Sequence, residues 1–108
     1  MPAPVVSQPA SPQTIDALRQ SYRSYYPNSR LGPVIAVRSE VRLAAVDEIA
    51  AADVAEGQIV SFIDSSQHVL TTGHIVRILP GDNRVHVRYD PPPTGGRDPR
   101  VGDIMVRF

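Results

Sequence analysis

The chain has 108 residues, and its 11 basic and 11 acidic side chains give a formal net charge of zero. This length suits one domain with one modest hydrophobic core. The zero balance disfavours a protein that binds nucleic acid through an overall basic excess, and the absence of cysteine excludes disulfides and thiolate metal sites. No apolar run approaches the roughly 18–20 residues of a membrane helix, and no secretory signal opens the chain, so we expect cytoplasmic synthesis and no membrane contact.

Residues 1–12, MPAPVVSQPASP, are rich in proline and carry no charged side chain. Such a segment has too little apolar surface to fold alone and favours an extended, polyproline-like backbone. We expect a proline-rich arm that is held, by its own domain or by a neighbouring subunit, rather than a free tail.

Residues 13–33 are predicted to form a helix and a connector. The helix is expected over 12–26, because Pro12 suits a first helical position and Pro27 ends the pattern. Its apolar residues recur at helical spacing: Ile15, Leu18, Tyr22 and Tyr25. We favour packing of this stripe on the rest of the domain. The alternative is a partner-docking helix with Tyr22, Tyr25 and Tyr26 as the contact residues.

Residues 34–108 are predicted to form a single small β-barrel domain. Alternation over 34–43 predicts a first strand, with one face made of Ile35, Val37, Val41 and Leu43. The alanine-rich stretch that follows predicts a short helix over about 45–52.

Four further strands are expected, at 58–63, 68–79, 84–90 and 101–108. Gly73 inside the second of these predicts a bulge or a sharp bend. The barrel interior is expected to consist of Ile59, Phe62, Ile75, Ile78, Val85, Val87, Tyr89, Ile104 and Val106.

The segments GQIVSF, GHIVRI, RVHVRY and GDIMV, separated by turns and one long loop, resemble the strands of an SH3-like small barrel of the Tudor or KOW kind over 55–108. We therefore predict a mainly β fold with short helices: a small SH3-like antiparallel β-barrel plus an N-terminal extended arm and an amphipathic helix. The resemblance implies binding of peptides, methylated side chains, RNA or neighbouring subunits. The aromatic cage of methyl readers is not matched, because this segment has only Phe62, Tyr89 and Phe108.

No catalytic, cofactor or metal site is predicted. His68, His74 and His86 lack the close spacing of metal ligands. Ser65, Ser66 and His68 lie in a polar turn without a glycine motif that could stabilise an oxyanion, so a solvated loop is the favoured interpretation. We therefore expect no enzymatic activity.

A predicted stripe of basic residues is the strongest argument that the protein binds nucleic acid. Arg84 and Arg88 share the outer face of one predicted strand with His86, and Arg77 can lie opposite. Arg84 and Arg88 are therefore further candidate contacts, and a nucleic-acid-binding SH3-like module is the alternative function. However, aspartates interleave along the same sequence and no exposed aromatic side chain follows the stripe. Mutually paired surface charges are favoured instead, and we predict no measurable binding at about 150 mM salt.

Taken together, these features predict a non-enzymatic structural or adaptor protein that works by protein–protein contacts within a larger assembly. Its expected partners are other protein subunits, in an oligomer or a larger structure. Proline-rich arms on small β-domains are typical of subunits that exchange arms, and virion capsid, decoration and connector proteins provide the analogy.

Overall fold

Six antiparallel strands close into a barrel in the computed structural model of the protein, which describes the backbone of residues 12–108 and the side chains of residues 15–108. The main elements are α1 (Pro12–Tyr25), β1 (Arg30–Arg38), β2 (Leu43–Val46), β3 (Ile59–Ile63), β4 (Val69–Leu79), β5 (Arg84–Tyr89) and β6 (Ile104–Arg107). The order around the barrel is β1-β2-β5-β4-β3-β6. Single 3-10 turns occupy Ala51–Asp53 and Pro80–Asp82.

The predicted mainly β fold, a small antiparallel barrel with an N-terminal helix, is confirmed. The predicted arm lies outside the described residues, apart from Pro12, which opens α1. Within the described part of the chain, no helix is both long and apolar enough to cross a membrane.

Two hydrophobic clusters lie on the two sides of the sheet. The first fills the barrel and includes Phe62, Val87, Tyr89 and Met105. The second lies outside the barrel, between α1 and the strands β1, β3 and β6, and consists of Ile15, Leu18, Leu31, Ile63, Ile104 and Val106. Because α1 covers the outer surface of β6, three consecutive residues of that strand are buried and its alternation disappears.

This second cluster corrects the predicted barrel interior. Ile104 and Val106 were expected inside the barrel, but they lie under α1 and Met105 is the inward residue. Ile59 was also expected inside and is 71% exposed, because Val60 and Phe62 are the inward positions of β3. The predicted interior of β5 is confirmed, since Val85, Val87 and Tyr89 are all buried.

The predicted single strand over 34–43 is wrong, because a hairpin turn divides it. β1 begins at Arg30, inside the predicted connector, and ends at Arg38. The Val41 amide then donates to the Arg38 carbonyl at 3.3 Å, and Arg42 has a positive φ of 52°. Val41, expected on the buried face, is therefore 48% exposed in the turn.

The predicted helix over 45–52 is also wrong. Residues 43–46 pair with both β1 and β5, so barrel closure overrides the helix preference of alanine. Only the 3-10 turn Ala51–Asp53 is helical in this stretch.

The predicted bulge or bend at Gly73 is not observed, and glycine is required at this position because β5 packs closely against it. The irregularities of β4 fall elsewhere, opposite Phe62 and Ile63 and between Ile75 and Arg77. A Cβ atom on Gly73 would lie 2.5 Å from the Arg88 carbonyl oxygen, so no larger residue fits without displacing β5.

Candidate interaction surfaces

Four aromatic side chains form one surface where α1 ends beside the C-terminus. We call Tyr22, Tyr25, Tyr26 and Phe108 the aromatic surface. The ring centroids of Tyr26 and Phe108 are 4.9 Å apart in an edge-on arrangement, those of Tyr22 and Phe108 are 5.9 Å apart, and those of Tyr22 and Tyr26 are 6.4 Å apart. The three predicted tyrosines are thus brought to one place, together with Phe108, which was not predicted as a contact residue.

Most of this surface is open to solvent. Tyr25 is 80% exposed, Tyr26 50% and Phe108 53%. A cleft of about 350 Å³ runs among the tyrosines and is closed on one side by Gln67. Partial burial, followed by the nearby Tyr26 phenol, raises the pKa of Tyr22 above its usual range, so the Tyr22 phenol stays neutral near neutral pH.

The helix carries this surface because its two halves have different neighbours. Ile15 and Leu18 are buried on the barrel, Tyr22 is half-buried at the edge of the cluster, and Tyr25 lies beyond it. The expectation that Tyr25 packs with the stripe is therefore wrong. The helical spacing is correct, but the buried contacts end one turn before the helix does.

Arg19 fixes the position of α1 on the barrel. Its guanidinium donates to the Leu31 carbonyl oxygen from Nε at 3.3 Å and from Nη2 at 3.2 Å. Nη2 also donates to Glu48 at 3.0 Å, and Nη1 donates to Asp16 at 3.0 Å. These contacts, together with the buried stripe, hold α1 against the barrel.

The arginines of the predicted basic stripe do not share one role. The Nε atom of Arg84 lies 3.8 Å from a carboxylate oxygen of Asp47, which offsets its charge. Arg88 is exposed on the outer face of β5, one position along the face from His86. Arg77 pairs with His86 across the β4–β5 ladder, as expected.

Arg97, another arginine of the C-terminal half, has a structural role. It donates to both carboxylate oxygens of the buried Asp103, at 2.7 and 3.0 Å. The Arg100 amide donates to the same carboxylate at 2.7 Å. The hydrogen bond to Asp103 raises the pKa of Arg97 further above its already high value. This pair closes the end of the long loop over 90–103 on itself, directly before β6 begins at Ile104.

Asp64 organises the turn that contains the serine and histidine candidates. Its carboxylate accepts from the amides of Ser66 and His68, both at 2.9 Å, and lies 3.4 Å from the His68 ring. Burial alone would raise the pKa of Asp64, but these hydrogen bonds and the His68 charge outweigh it and lower the pKa. His68 points into solvent with 79% of its side chain exposed, so the carboxylate stabilises a turn and does not line a cavity. Across residues 15–108, no three metal-ligating side chains come together.

No protein-family model matches the chain, and no curated protein matches it significantly in sequence. Its function must therefore be inferred from the surfaces that the fold creates.

Proposed function

We propose that this protein is a non-enzymatic structural or adaptor subunit, built on an SH3-like small barrel, that works by protein–protein contacts within a larger assembly. The aromatic surface is the proposed contact site. The observation that carries the proposal is the exposure of three of its four rings, with Tyr25 at 80%.

Two physical arguments support this role. Contiguous apolar or aromatic surface is rare on monomeric proteins because water solvates it poorly, and where it occurs it marks an interaction site. Tyrosine is enriched at the centres of protein interfaces, since its ring buries a large area with little loss of rotamer freedom. The rings here are also held in place beforehand by Arg19 and by the buried half of α1.

The partner proposed first is a second copy of this chain, as in capsid, decoration or connector assemblies by analogy. The proline-rich residues 1–12 enter α1 directly, and we propose them as a second contact with neighbouring subunits. Small β-domains whose subunits exchange extended segments are stabilised in this way.

Replacing Tyr25 and Tyr26 with serine should weaken self-association by about tenfold or more, because a single hot-spot tyrosine contributes about 2 kcal/mol and about 1.4 kcal/mol is already tenfold. Light scattering at increasing protein concentration measures this. The melting temperature should change little, since Tyr25 and Tyr26 are both exposed.

The matched control is the double change Val41→Ser and Val101→Ser. Both valines are exposed apolar residues on loops, with 48% and 65% exposure, and lie outside the aromatic surface. The control should associate like the unmodified protein. Equal weakening in both variants would rule out the aromatic surface as the contact. An unmodified chain that stays monomeric at millimolar concentration would rule it out as well.

A further inference from the structure

A second surface lies on the side of the barrel that faces away from α1. The helix packs on residues of β1, β3 and β6, and β5 is three strands from β6 in either direction around the closed barrel. The outer positions of β2, β5 and β4, with the end of β1, therefore face away from the aromatic surface. We call the arginines and histidines on this side the basic face: Arg38, His74, Arg77, His86 and Arg88.

Cross-strand pairing places the basic face in two adjacent rows. The first row runs through Arg38, Leu43, Arg88, His74 and Ile59. The second row runs through Ala36, Ala45, His86 and Arg77. Neither row contains a carboxylate. Since neighbouring strands are about 4.8 Å apart, the backbone of Arg88 lies within roughly 10 Å of Arg38, two strands away, and of Arg77 on the adjacent strand, while Arg38 and Arg77 lie roughly 15 Å apart.

The charge of the molecule is balanced in total but segregated in space. Arg38, Arg77 and Arg88 form no ion pair with any residue in the described range 15–108. By contrast, four of the other arginines pair with carboxylates: Arg19, Arg30, Arg84 and Arg97. Without the three unpaired arginines of the basic face, eight arginines remain against 11 acids. The aspartates that interleave along the sequence therefore do not interrupt this surface.

An apolar cleft of about 220 Å³ opens beside these arginines, on the outer face of the paired strands β1 and β2. Ala36, Leu43 and Ala45 line it, and Arg38 and His86 complete its wall. A ligand that fills this cleft and also contacts the basic face must offer an apolar group next to negative charge.

Single-stranded nucleic acid meets this requirement in every repeating unit. Each nucleotide carries an unstacked base with an apolar face beside a phosphate, and guanidinium groups bind phosphate oxygens in a bidentate manner. A duplex keeps its bases stacked and out of reach of the cleft. An acidic peptide must supply the charge and the apolar group from two different residues.

We propose that the basic face binds single-stranded nucleic acid, with Arg38, Arg77 and Arg88 on phosphates and one base in the cleft on the outer face of β1 and β2. The contacts are independent of base identity, because the cleft is lined mainly by aliphatic side chains. This site is separate from the proposed protein contact and lies on the other side of the barrel.

The test is binding of a labelled oligothymidylate of about 16 nucleotides to the full chain, measured by fluorescence anisotropy from about 20 mM salt upward. Changing Arg77→Gln and Arg88→Gln together should weaken binding about tenfold or more at the lowest salt. It should also flatten the log–log salt dependence by about 1.4, since each phosphate contact on a single strand contributes about 0.7.

The matched control, Arg23→Gln with Arg100→Gln, removes the same charge from exposed positions on α1 and on the loop before β6. It should retain most of the affinity. Equal loss in both variants would show that net charge alone is responsible, and no binding of the unmodified chain at about 20 mM salt would also overturn the proposal.

The cleft is tested separately by Ala45→Leu, which fills it and leaves the arginines in place. This change should lower affinity for the single strand several-fold with an unchanged salt slope. If this variant melts early, Ala36→Leu on the opposite wall serves instead, since Ala36 is exposed. A duplex of the same length or polyglutamate that binds as tightly as the single strand would contradict the assignment of the ligand.

Discussion

Replacing Phe62 with alanine should lower the free energy of unfolding by about 3–5 kcal/mol. Phe62 is fully buried inside the barrel, and its ring meets Tyr89 edge-on with centroids 6.2 Å apart. The substitution removes buried aromatic surface and this ring pair, and it leaves a cavity that the closed barrel cannot collapse to fill. Denaturant unfolding, compared at an unchanged m-value, measures the loss.

Ile59→Ala is the matched control on the same strand. Ile59 is 71% exposed, so its truncation should change the free energy of unfolding by no more than about 0.5 kcal/mol. Tyr89→Phe should also be nearly neutral, because the Tyr89 hydroxyl is buried without a hydrogen-bond partner among the described residues. An Ile59 variant as unstable as the Phe62 variant would show that the register of β3 is displaced by one residue.

Replacing Asp103 with alanine should cost about 3 kcal/mol of stability. The Asp103 side chain is only 5% exposed and accepts from both Arg97 Nη atoms and from the Arg100 amide. Its removal leaves a partly buried guanidinium without its counter-charge. The change also removes the hydrogen bonds that hold together the end of the loop over 90–103. Thermal unfolding and hydrogen exchange in the loop measure the two effects.

Asp98→Ala controls for the loss of an acid in the same loop. The Asp98 side chain forms no ion pair within residues 15–108, so its replacement should alter stability by about 0.5 kcal/mol at most. The double change of Arg97 and Asp103 to alanine should cost less than the sum of the two single changes, because each single change leaves one charge unpartnered. Additive costs would contradict a coupled pair.

The sequence predicts β5 correctly because one face of this strand meets solvent. The strand β5 alternates apolar and polar residues from Arg84 to Tyr89, and burial follows the alternation residue by residue. In β6 the pattern fails, because Ile104 and Val106 are buried under α1 while Met105 is buried inside the barrel. Only the packing of α1, which is distant in sequence, shows which face of β6 lines the barrel interior.

The local sequence also does not predict the hairpin between β1 and β2. The apolar alternation continues through the turn to Val41, and the left-handed position falls on Arg42 rather than on glycine or asparagine. The alanines of β2 favour a helix in isolation, but pairing with β1 and β5 decides their conformation. Non-local pairing of this kind has no signal in a short window of sequence.

The candidate surfaces are predicted only in part for the same reason. Helical spacing selects Tyr22, but the neighbour that completes its surface, Phe108, is 86 positions away in the sequence. The predicted contact Arg84 faces Asp47. Arg38, from a different strand, shares a row with Arg88 because β1, β2 and β5 are adjacent in the barrel.

Sedimentation velocity of the full chain, with and without the oligothymidylate at about 20 mM salt, tests the central claim that two separate surfaces serve two partners. We predict that the protein alone shows a mass above that of a monomer, and that the nucleic acid co-sediments with this assembled form without dissociating it. A monomer that assembles only when nucleic acid is added, or an assembly that dissociates on binding it, would contradict separate surfaces on opposite sides of the barrel.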